Sequence, residues 1–381
     1  MGARPTTLFI SSVEWNFVWQ RHQTLASLFA RDSEVIFCEV PGIRRLRIGD
    51  AGRVWRRLRL PGRRDKVKTA ALPPGLRVVR PFLLPATNRL FCAINAWLLK
   101  RFVRRDEVLS AGVDLVVNYS PSRSALQLLA CVPHRWLIYD CTDNWAAVRG
   151  IPAFLPEDEH VLLTRADLTL VPSRRLEELK QLSARRLARV PHGALVGRFL
   201  LEPRRREPNG PVTVLYYGHL HAQHLDFDLI DDLARERPNW IIVLVGPAKT
   251  SHAFPSNVQL MGQQPHEKLR EFIAGADVLL LPYALNDYTR AVLPAKIYEC
   301  LATGRPIVAA PLPELVTDFA GYLRFATDGP GFATAVEEAL TGDTDEMRAA
   351  RVALAQANTW EQRYSQIEEL LAGLEERETR E

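Results

Sequence analysis

The segment Leu293–Glu314 places a proline, a lysine, a glutamate and a glycine at fixed spacings around one predicted helix. Pro294 suits the first helical turn, where its missing N–H costs no hydrogen bond, and Gly304 suits the position just past the helix end. Lys296 lies in the first turn, and Glu299 follows three residues later on the same face. Free N–H groups beside a lysine can bind a diphosphate, and a carboxylate can accept from paired ribose hydroxyls. The alternative is an ordinary amphipathic helix with a surface Lys–Glu pair.

Two aspartates follow a predicted strand in the first half of the chain. Asp140 comes directly after the apolar run Trp136–Tyr139, and Asp143 follows three residues later. Open parallel sheets bind ligands beyond the carboxyl ends of their strands, which makes both carboxylates candidates for orienting a bound substrate. Aspartates at such places also end strands and satisfy the backbone N–H groups of turns. The sequence leaves both interpretations open.

Three residues around the start of the first predicted helix are candidates for the same edge of the sheet. Arg21 could contact a phosphate, and Glu14 and Trp15 could line a ligand pocket, since tryptophan faces commonly pack on sugar rings. The alternatives are an exposed arginine in the first turn and a tryptophan in the core.

Strand-like and helix-like stretches alternate in both halves of the chain, which indicates parallel sheets covered by helices on both faces. Strands are predicted at Thr7–Ile10, Glu34–Cys38, Leu76–Arg80, Val113–Asn118, Trp136–Tyr139, Asp167–Val171, Val212–Tyr217, Trp240–Val245, Val258–Met261, Val278–Leu281 and Pro306–Ala309. Helices are predicted at Phe17–Ala30, Asn88–Val103, Arg123–Ala130, Ser173–Leu182, Phe227–Glu236, Glu267–Ala274, Ala295–Thr303 and Pro330–Leu340.

A polar break separates the two halves. The stretch Glu202–Pro211 reads EPRRREPNGP, whose prolines, arginines and Asn-Gly pair are typical of a solvated linker. We therefore predict an N-terminal domain over residues 1–201, a linker over 202–211, a C-terminal domain over 212–358 and a final helix over 359–381.

The final helix has a start signal and an apolar stripe. Thr359 and Gln362 have the spacing of a capping box. Apolar residues then recur on one helical face at Trp360, Tyr364, Ile367, Leu371 and Leu374. Such a stripe must be buried, and packing back onto the first domain would bury it.

The segment from Pro294 to Val308, PAKIYECLATGRPIV, resembles the donor-binding stretch of retaining GT-B glycosyltransferases of family 4, written P-L-K-x-x-E-Y-L-A-x-G-x-P-V-V. The spacing is intact across fifteen positions, so this match is specific. Other segments resemble the same family, and the similarity spans about residues 8 to 340. These segments are Trp15–Ala30, Tyr139–Trp145, Ala166–Ser173, Pro191–Gly193, Gly218 with Asp226–Leu229, and Gly275–Tyr283.

The resemblance implies an α/β chain of GT-B architecture, with two Rossmann-like doubly wound domains facing a central cleft and the final helix crossing back to the first domain. It implies transfer of a sugar from a nucleotide diphosphate sugar, with retention and without a metal or other cofactor. The acceptor is a glycan precursor, a lipid-linked sugar or a small natural product. The C-terminal domain would hold the donor and the N-terminal domain the acceptor.

The same resemblance assigns roles to particular residues. The predicted catalytic residues are Asp143, Lys296 and Glu299. The predicted donor-binding residues are Gly218, His219, Arg290, Pro294, Ala295, Lys296 and Glu299. The predicted acceptor-side residues are Glu14, Trp15, Arg21, Asp140 and Asp143. Charge that develops on the leaving diphosphate would be stabilised by the lysine, the helix N-terminus and Arg290.

This chain departs from the family at the diphosphate. The Arg and Lys that often follow the first strand of the second domain are absent from GHLHAQHLD, so Lys296 and Arg290 are predicted to replace them. His219 or His221 could assist, with loop histidines as the alternative.

Two further departures concern the acidic pair and the first loop. Ala291 stands eight residues before Glu299, where many members carry the first of two acidic residues. The glycine pair common in the first loop is replaced by Ser11-Ser12-Val13-Glu14, so a detailed acceptor site does not transfer.

Two other functions stay open. A nucleotide-sugar epimerase can share the architecture, with catalytic acids and no separate acceptor. The second open function is that of a non-catalytic protein with two lobes that binds a sugar or a nucleotide.

The bulk composition is that of a globular protein of two domains. The chain has 381 residues, of which 47% are hydrophobic and 24% charged. No apolar run approaches the roughly 20 residues that span a bilayer, and the apolar stretch at the N-terminus is too short for a signal peptide. We expect a cytoplasmic protein. Its five cysteines form no CxxC pair, which argues against a zinc site or a disulfide framework.

The net charge of +5 conceals one strongly basic segment. This basic flap, Ile43–Thr69, contains eleven basic and two acidic residues interleaved with apolar ones. Such a mixture can lie on an anionic membrane or hold an anionic acceptor, which would make the protein membrane-peripheral; a solvated loop is the alternative. The flap has a single aromatic residue and no nucleic-acid module, so nucleic-acid binding is not predicted.

Overall fold

The computed structural model describes residues 4–17, 19–41, 72–86, 88–203, 210–248 and 250–378. The chain divides into two compact units. The basic flap and most of the predicted linker, residues 204–209, lie outside the described residues.

The first unit comprises residues 1–172, 176–190 and 367–381 and contains a seven-stranded parallel sheet. The strands are β1 Thr6–Ser11, β2 Glu34–Glu39, β3 Leu76–Val79, β4 Val113–Asn118, β5 His134–Asp140, β6 Leu168–Val171 and β7 Leu187–Arg189. The helices up to this point are α1 Arg21–Phe29, α2 Arg89–Arg105, α3 Glu107–Ala111, α4 Arg123–Leu129, α5 Leu155–Arg165 and α6 Arg174–Lys180. The spatial order is β3-β2-β1-β4-β5-β6-β7.

The second unit comprises residues 173–175 and 191–366 and contains a six-stranded parallel sheet. Its strands are β8 Thr213–Tyr217, β9 Ile241–Val245, β10 Val258–Gly262, β11 Val278–Leu281, β12 Ile307–Ala309 and β13 Arg324–Phe325, in the order β10-β9-β8-β11-β12-β13. The remaining helices are α7 Val196–Phe199, α8 Phe227–Glu236, α9 His266–Gly275, α10 Ile297–Ala302, α11 Pro313–Phe319, α12 Gly329–Gly342, α13 Asp345–Gln356 and α14 Trp360–Glu378.

Apolar strands and polar helix caps explain this arrangement. Strands such as β1 and β11 are buried almost throughout, as expected for parallel sheets covered on both faces. The side chain of Asn88 accepts the N–H of Phe91 and caps α2, and Asp226 caps α8 in the same way. The prediction of two Rossmann-like doubly wound sheets is therefore confirmed.

Some elements are short or shifted relative to the sequence prediction. The first helix begins at Arg21 rather than Phe17, because the Gln23 side chain accepts the N–H of Gln20 and ends the preceding loop there. The unpredicted strands β7 and β13 have only three and two residues, too few to show an apolar run. The unpredicted helices are α3, α5, α7, α11 and α13.

The boundary between the units lies earlier than the predicted linker. Residues 191–201 belong to the second unit, because their side chains and backbone pack there. Phe199 stacks on Tyr217 with ring centroids 6.5 Å apart, and the N–H of Ala194 donates to Asn358 at 3.0 Å. A polar stretch in the sequence therefore does not mark the point at which packing changes.

The final helix begins as the sequence predicts. The N–H of Thr359 donates to Oε1 of Gln362 at 2.8 Å, and the N–H of Gln362 donates to Oγ1 of Thr359 at 3.3 Å, which is a capping box. Ile367 and Leu374 are buried, and residues 367–381 group with the first unit.

Two expectations from composition can be compared with the structure. Among the helices of the described segments, none is sufficiently long and apolar for a membrane span. All five cysteines are free thiols.

Gly246, directly after β9, tests how tightly the second sheet's loops pack. Its φ is +146°, and an added Cβ would overlap the carbonyl oxygen of Gly218, which cannot move without disturbing β8. We expect Gly246→Ala to lower stability by about 1–3 kcal/mol or more, seen as a lower midpoint in thermal unfolding. Gly321→Ala, whose Cβ would meet nothing within 4 Å, is the matched control. Equal midpoints for the two variants would contradict this packing.

Candidate functional site

The second sheet changes direction between β8 and β11. The chain runs from β8 outward through β9 and β10, then returns to place β11 on the other side of β8. The loops that follow β8 and β11 meet at this point, where the N–H of Asp226 donates to Pro282 at 3.0 Å and that of Ala284 donates to His224 at 2.9 Å. In open α/β sheets, this switch point at the carboxyl ends of the strands is where ligands bind.

Lys296 reaches the end of β8. Its ammonium group donates to the carbonyl oxygen of Tyr217 and lies 4.0 Å from the ring centroid of Tyr216. The next residue, Gly218, has φ +134°, and a Cβ there would strike the lysine ammonium. The structure thus brings together two residues that the sequence assigned to one site, Gly218 and Lys296.

Helix α10 is shorter than predicted. Lys296 occupies its N-cap position, and the buried Pro294 and exposed Ala295 precede the helix rather than forming its first turn. The N–H of Ile297 donates to Pro294 at 2.9 Å, so this proline closes a turn. Gly304 has φ +70° and follows the last turn as predicted.

Glu299 is partly buried near two cations. Burial raises the pKa of its carboxyl group to about 7, while the charges of Lys296 and Arg198 act to lower it. Glu299 can therefore change protonation near neutral pH. The sequence does not predict a role for Arg198, because helix α7 precedes the predicted linker and so falls in the predicted N-terminal domain.

Three histidines occupy the loop after β8. The ring centroids of His219, His221 and His224 lie 5.6 to 6.4 Å apart, and the His224 ring stacks on Tyr288 at 5.0 Å with 9° between the planes. His219 was a sequence candidate; His224 and Tyr288 were not. The repeated histidines in GHLHAQHLD were the available signal. Arg290 is exposed in the 3₁₀ turn Thr289–Ala291, on the loop after β11.

Arg21 and Asp140 form a buried ion pair in the first unit. The guanidinium Nε donates to the carboxylate at 2.7 Å, and the two side chains are 2% and 0% exposed. Arg21 also donates to the carbonyl oxygen of Val190 at 3.0 Å. Two of the five predicted acceptor-side residues, Arg21 and Asp140, therefore pair with each other in the core, and the alternative of an exposed arginine is wrong.

A neutral histidine lies beside this pair. His22 stacks on Tyr119 with ring centroids 3.8 Å apart, and its Nδ1 lies 2.8 Å from Oγ of Ser11. Burial, with the charge of Arg21 as the second cause, lowers the pKa of His22 to about 3. Ser11 ends β1 and Tyr119 follows β4, so this cluster lies at the switch point of the first sheet. The sequence does not predict this cluster, because burial cannot be read from these residue types.

The other acceptor-side candidates lie in different surroundings. Glu14 is exposed, and its Oε2 lies 3.9 Å from Nη2 of Arg80. Trp15 is 3% exposed and packs edge-on against Phe37 at 5.1 Å, so it presents no face to solvent here. Asp143 is partly buried and accepts the hydroxyl of Thr142 at 3.0 Å. Within the described residues, no group of three or more His, Cys, Asp or Glu side chains could hold a metal ion.

The two sheets and their switch points define the class. This is a GT-B fold of two Rossmann-like units, and it matches solved glycosyltransferase structures over almost the whole chain. Sucrose-phosphate synthase from Thermosynechococcus elongatus superimposes with a TM-score of 0.71 at 17% identity, covering 97% of this chain and 99% of that one. HepE from Anabaena, in complex with UDP and glucose, gives 0.63 at 13% identity, covering 97% and 100%.

Sequence comparison points to the same group. Residues 211–342 match the family described as Glycosyl transferases group 1. The chain is 26% identical over 264 residues to TuaH of Bacillus subtilis, to which a glycosyltransferase role in teichuronic acid biosynthesis is provisionally assigned. That match covers 61% of this chain and 65% of TuaH, slightly under two thirds of the relative's length. Together these findings support a group 1 glycosyltransferase relationship of GT-B type.

The buried ion pair leads to a stability prediction. Arg21→Ala leaves the Asp140 carboxylate buried without its counter-ion, and we expect a loss of about 3–5 kcal/mol, measured by urea unfolding. Arg165→Ala, at an exposed arginine of α5, is the control and should unfold near the wild-type midpoint. An Arg21→Ala protein as stable as that control would contradict the burial of this pair.

The raised pKa of Glu299 leads to a pH prediction. A carboxyl group with a pKa of about 7 in the folded chain and 4.5 otherwise is ionised at a cost, so its contribution to stability falls as pH rises across that window. Glu299→Gln removes the cost, and the variant should gain stability relative to wild type between about pH 5 and 8, by at most about 3 kcal/mol.

Thermal unfolding of wild type and Glu299→Gln at about pH 5 and about pH 8 measures this gain in stability. Glu271→Gln, at an exposed glutamate of α9, controls for the general effect of removing a charge. Parallel pH curves for wild type and Glu299→Gln would show that the carboxyl has an ordinary pKa.

Proposed function

We propose that this protein is a glycosyltransferase that takes sugar from a nucleotide diphosphate sugar, with the donor bound by the second unit. The observation that carries the proposal is the position of Lys296 at the carbonyl end of β8, beside Gly218 at the switch point. This segment lies inside residues 211–342, which match the Glycosyl transferases group 1 family. HepE, which has a similar fold, binds UDP and glucose, and this supports a nucleotide sugar as donor.

Lys296 suits stabilisation of the leaving group. When the bond between the sugar and the diphosphate breaks, negative charge develops on the phosphate oxygens. The lysine ammonium donates to the carbonyl oxygen of Tyr217 near the Gly218 loop, and a phosphate oxygen could replace that acceptor. Arg290, exposed on the loop after β11, could add a second positive charge. We propose that these groups act without a metal ion.

Glu299 suits the ribose of the donor. An ionised carboxylate offers two acceptor oxygens to neighbouring hydroxyls, and the nearby Lys296 and Arg198 favour that ionised form. Binding through hydroxyl hydrogen bonds would in turn lower the carboxyl's pKa from about 7. Both roles are those that the family resemblance implies.

The first unit is proposed to bind the acceptor. The buried pair Arg21–Asp140 fixes the carboxyl end of β5, and Asp143 follows three residues later on a partly buried turn. We propose that Asp143 contacts the acceptor or the transferred sugar, while Arg21 and Asp140 position it. Glu14, which is exposed, is the second proposed acceptor-side contact. Retention of the anomeric configuration is proposed from the family resemblance.

A screen of nucleoside diphosphates and their sugars tests the proposal. A ligand that binds only the folded chain raises its apparent stability, so the donor class should stand out in a thermal-shift series. The stabilising nucleotide sugar is then incubated with the enzyme, with and without a panel of acceptors. New glycosylated product indicates transfer, an isomerised sugar without acceptor indicates an epimerase, and binding without any product indicates a non-catalytic binder.

Two substitutions test the donor site itself. Lys296→Ala should lower kcat by about 100-fold or more while the chain stays folded, because the developing phosphate charge loses its counter-ion. Glu299→Ala should mainly weaken donor binding, measured as a higher KM for the nucleotide sugar. Lys268→Ala and Glu271→Ala, both at exposed positions of α9, are the matched controls. A near-normal kcat in Lys296→Ala together with an unchanged KM in Glu299→Ala would reject this donor site.

A further inference from the structure

The loop after β8 lacks fixed positive charge at the place where a diphosphate would bind. Between Gly218 and Asp226 it contains no arginine or lysine, and three of its residues are histidines. All three side chains are partly exposed, and their rings lie within 6.4 Å of one another. Their spacing gives no metal site among the described residues. Clustered imidazoles that do not coordinate a metal are suited to binding an anion, because each can donate an N–H.

The loop is attached to the proposed donor site at both ends. The hydroxyl of Tyr216 donates to the backbone oxygen of His219 at 3.4 Å, and the ring of the same tyrosine lies under the ammonium of Lys296. At the other end, the backbone of His224 accepts from Ala284, on the loop that leads to Lys296. The histidines and the lysine therefore belong to one edge of the second sheet.

Two of the histidines differ in their ability to gain a proton. Nδ1 of His221 accepts the N–H of Gln223 at 3.1 Å, so its proton lies on Nε2 and a second proton would break this hydrogen bond. The ring of His224 lies parallel to Tyr288 at 5.0 Å, where the aromatic face stabilises a positive charge. His221 is thus suited to act as a neutral donor, and His224 as the group that becomes charged.

Other charges on the neighbouring segments set the background for this titration. They are Asp226, whose carboxylate caps α8, Asp287 and Arg290 on the loop after β11, and Lys296 and Glu299 at α10. Tyr216 contacts both the backbone oxygen of His219 and the ammonium of Lys296, so the lysine is linked to the His219 end of the loop. His224, at the far end and on an aromatic face, is the histidine that a bound anion would most readily protonate.

We propose that His219, His221 and His224 bind the diphosphate of the donor, with His221 as a neutral hydrogen-bond donor and His224 as a cation that forms below about neutral pH. The inference rests on the proposed function, because it deepens the donor site that Lys296 defines. The diphosphate is then bound by the permanent charge of Lys296 and by the charge of His224, which depends on pH. Donor binding and release of the nucleoside diphosphate product both become sensitive to pH in the range where histidine titrates.

The sign of the effect follows from linkage. A bound diphosphate favours the charged imidazolium, so binding takes up a proton and affinity falls as pH rises through the titration of His224. For one linked proton, the change is at most about tenfold per pH unit. The nucleotide's own phosphate also titrates near pH 6, so the comparison must be made with the same ligand on matched variants.

The experiment measures the Kd of UDP by calorimetry at about pH 6, 7 and 8 for wild type, His224→Gln, His221→Asn and the control His160→Gln, an exposed histidine of α5. We expect wild type and the control to gain about tenfold more affinity on going from pH 8 to pH 6 than His224→Gln gains. His221→Asn, whose side-chain oxygen can still accept the N–H of Gln223, should weaken binding at every pH and leave the pH dependence unchanged.

A measurement on the unmodified protein covers the case in which a variant fails to fold. Histidine ring signals followed by NMR with and without inorganic pyrophosphate, a probe that needs no particular base, should show the pKa of one ring rising on binding. Identical pH dependence in His224→Gln and wild type, or histidine pKa values unmoved by bound pyrophosphate, would overturn the inference and leave the proposed function standing. Failure of UDP, the other nucleoside diphosphates and pyrophosphate to bind at any pH would overturn both.

Discussion

The ammonium of Lys296 donates to the carbonyl oxygen of Tyr217, the last residue of β8. This contact needs Gly218 next in the chain, because any side chain there would occupy the position of the ammonium. Gly218 in turn needs Gly246 at the end of β9, since the two loops approach too closely for a Cβ. The charge at the switch point therefore depends on two glycines in adjacent strand ends. The rest of the second sheet holds those strand ends in register.

The first sheet uses its switch point differently. Its arginine there, Arg21, is neutralised by Asp140 inside the core, and its histidine, His22, is held neutral by burial. Burying such a pair costs desolvation free energy that the ion pair only partly returns, so it is better suited to fixing geometry than to adding stability. The second unit keeps the ammonium of Lys296 partly exposed. Under the proposed function, the second unit would supply the electrostatic stabilisation that an anionic leaving group needs.

Local patterns in the sequence predicted most of the elements, and tertiary packing decided what they missed. The strands β4 and β11 and the helix α8 have the bounds that their apolar patterns and caps indicate. The domain boundary did not follow the polar stretch 202–211, because Phe199 and Ala194 pack onto the second unit. Burial of Arg21 could not be predicted either, since its partner Asp140 is 119 residues away in the sequence. Residue spacing in one segment was enough to predict Lys296 and Glu299 as neighbours. The position of Arg198 near Glu299 became apparent only from the fold.

The loop of residues 219–224 shows how the charge of a site can change while the backbone that supports it stays the same. The glycines and the strand ends fix the position of the Lys296 ammonium, and these backbone constraints tolerate little substitution. The side chains of residues 219–224 carry the ionisable groups of this loop, so its charge can vary while the backbone stays the same. With imidazoles in place of permanent cations, the diphosphate would bind more weakly at high pH, and the nucleoside diphosphate product would be released more easily there. An enzyme whose rate is limited by release of its nucleotide would gain turnover from such a loop, whereas one limited by chemistry would lose it.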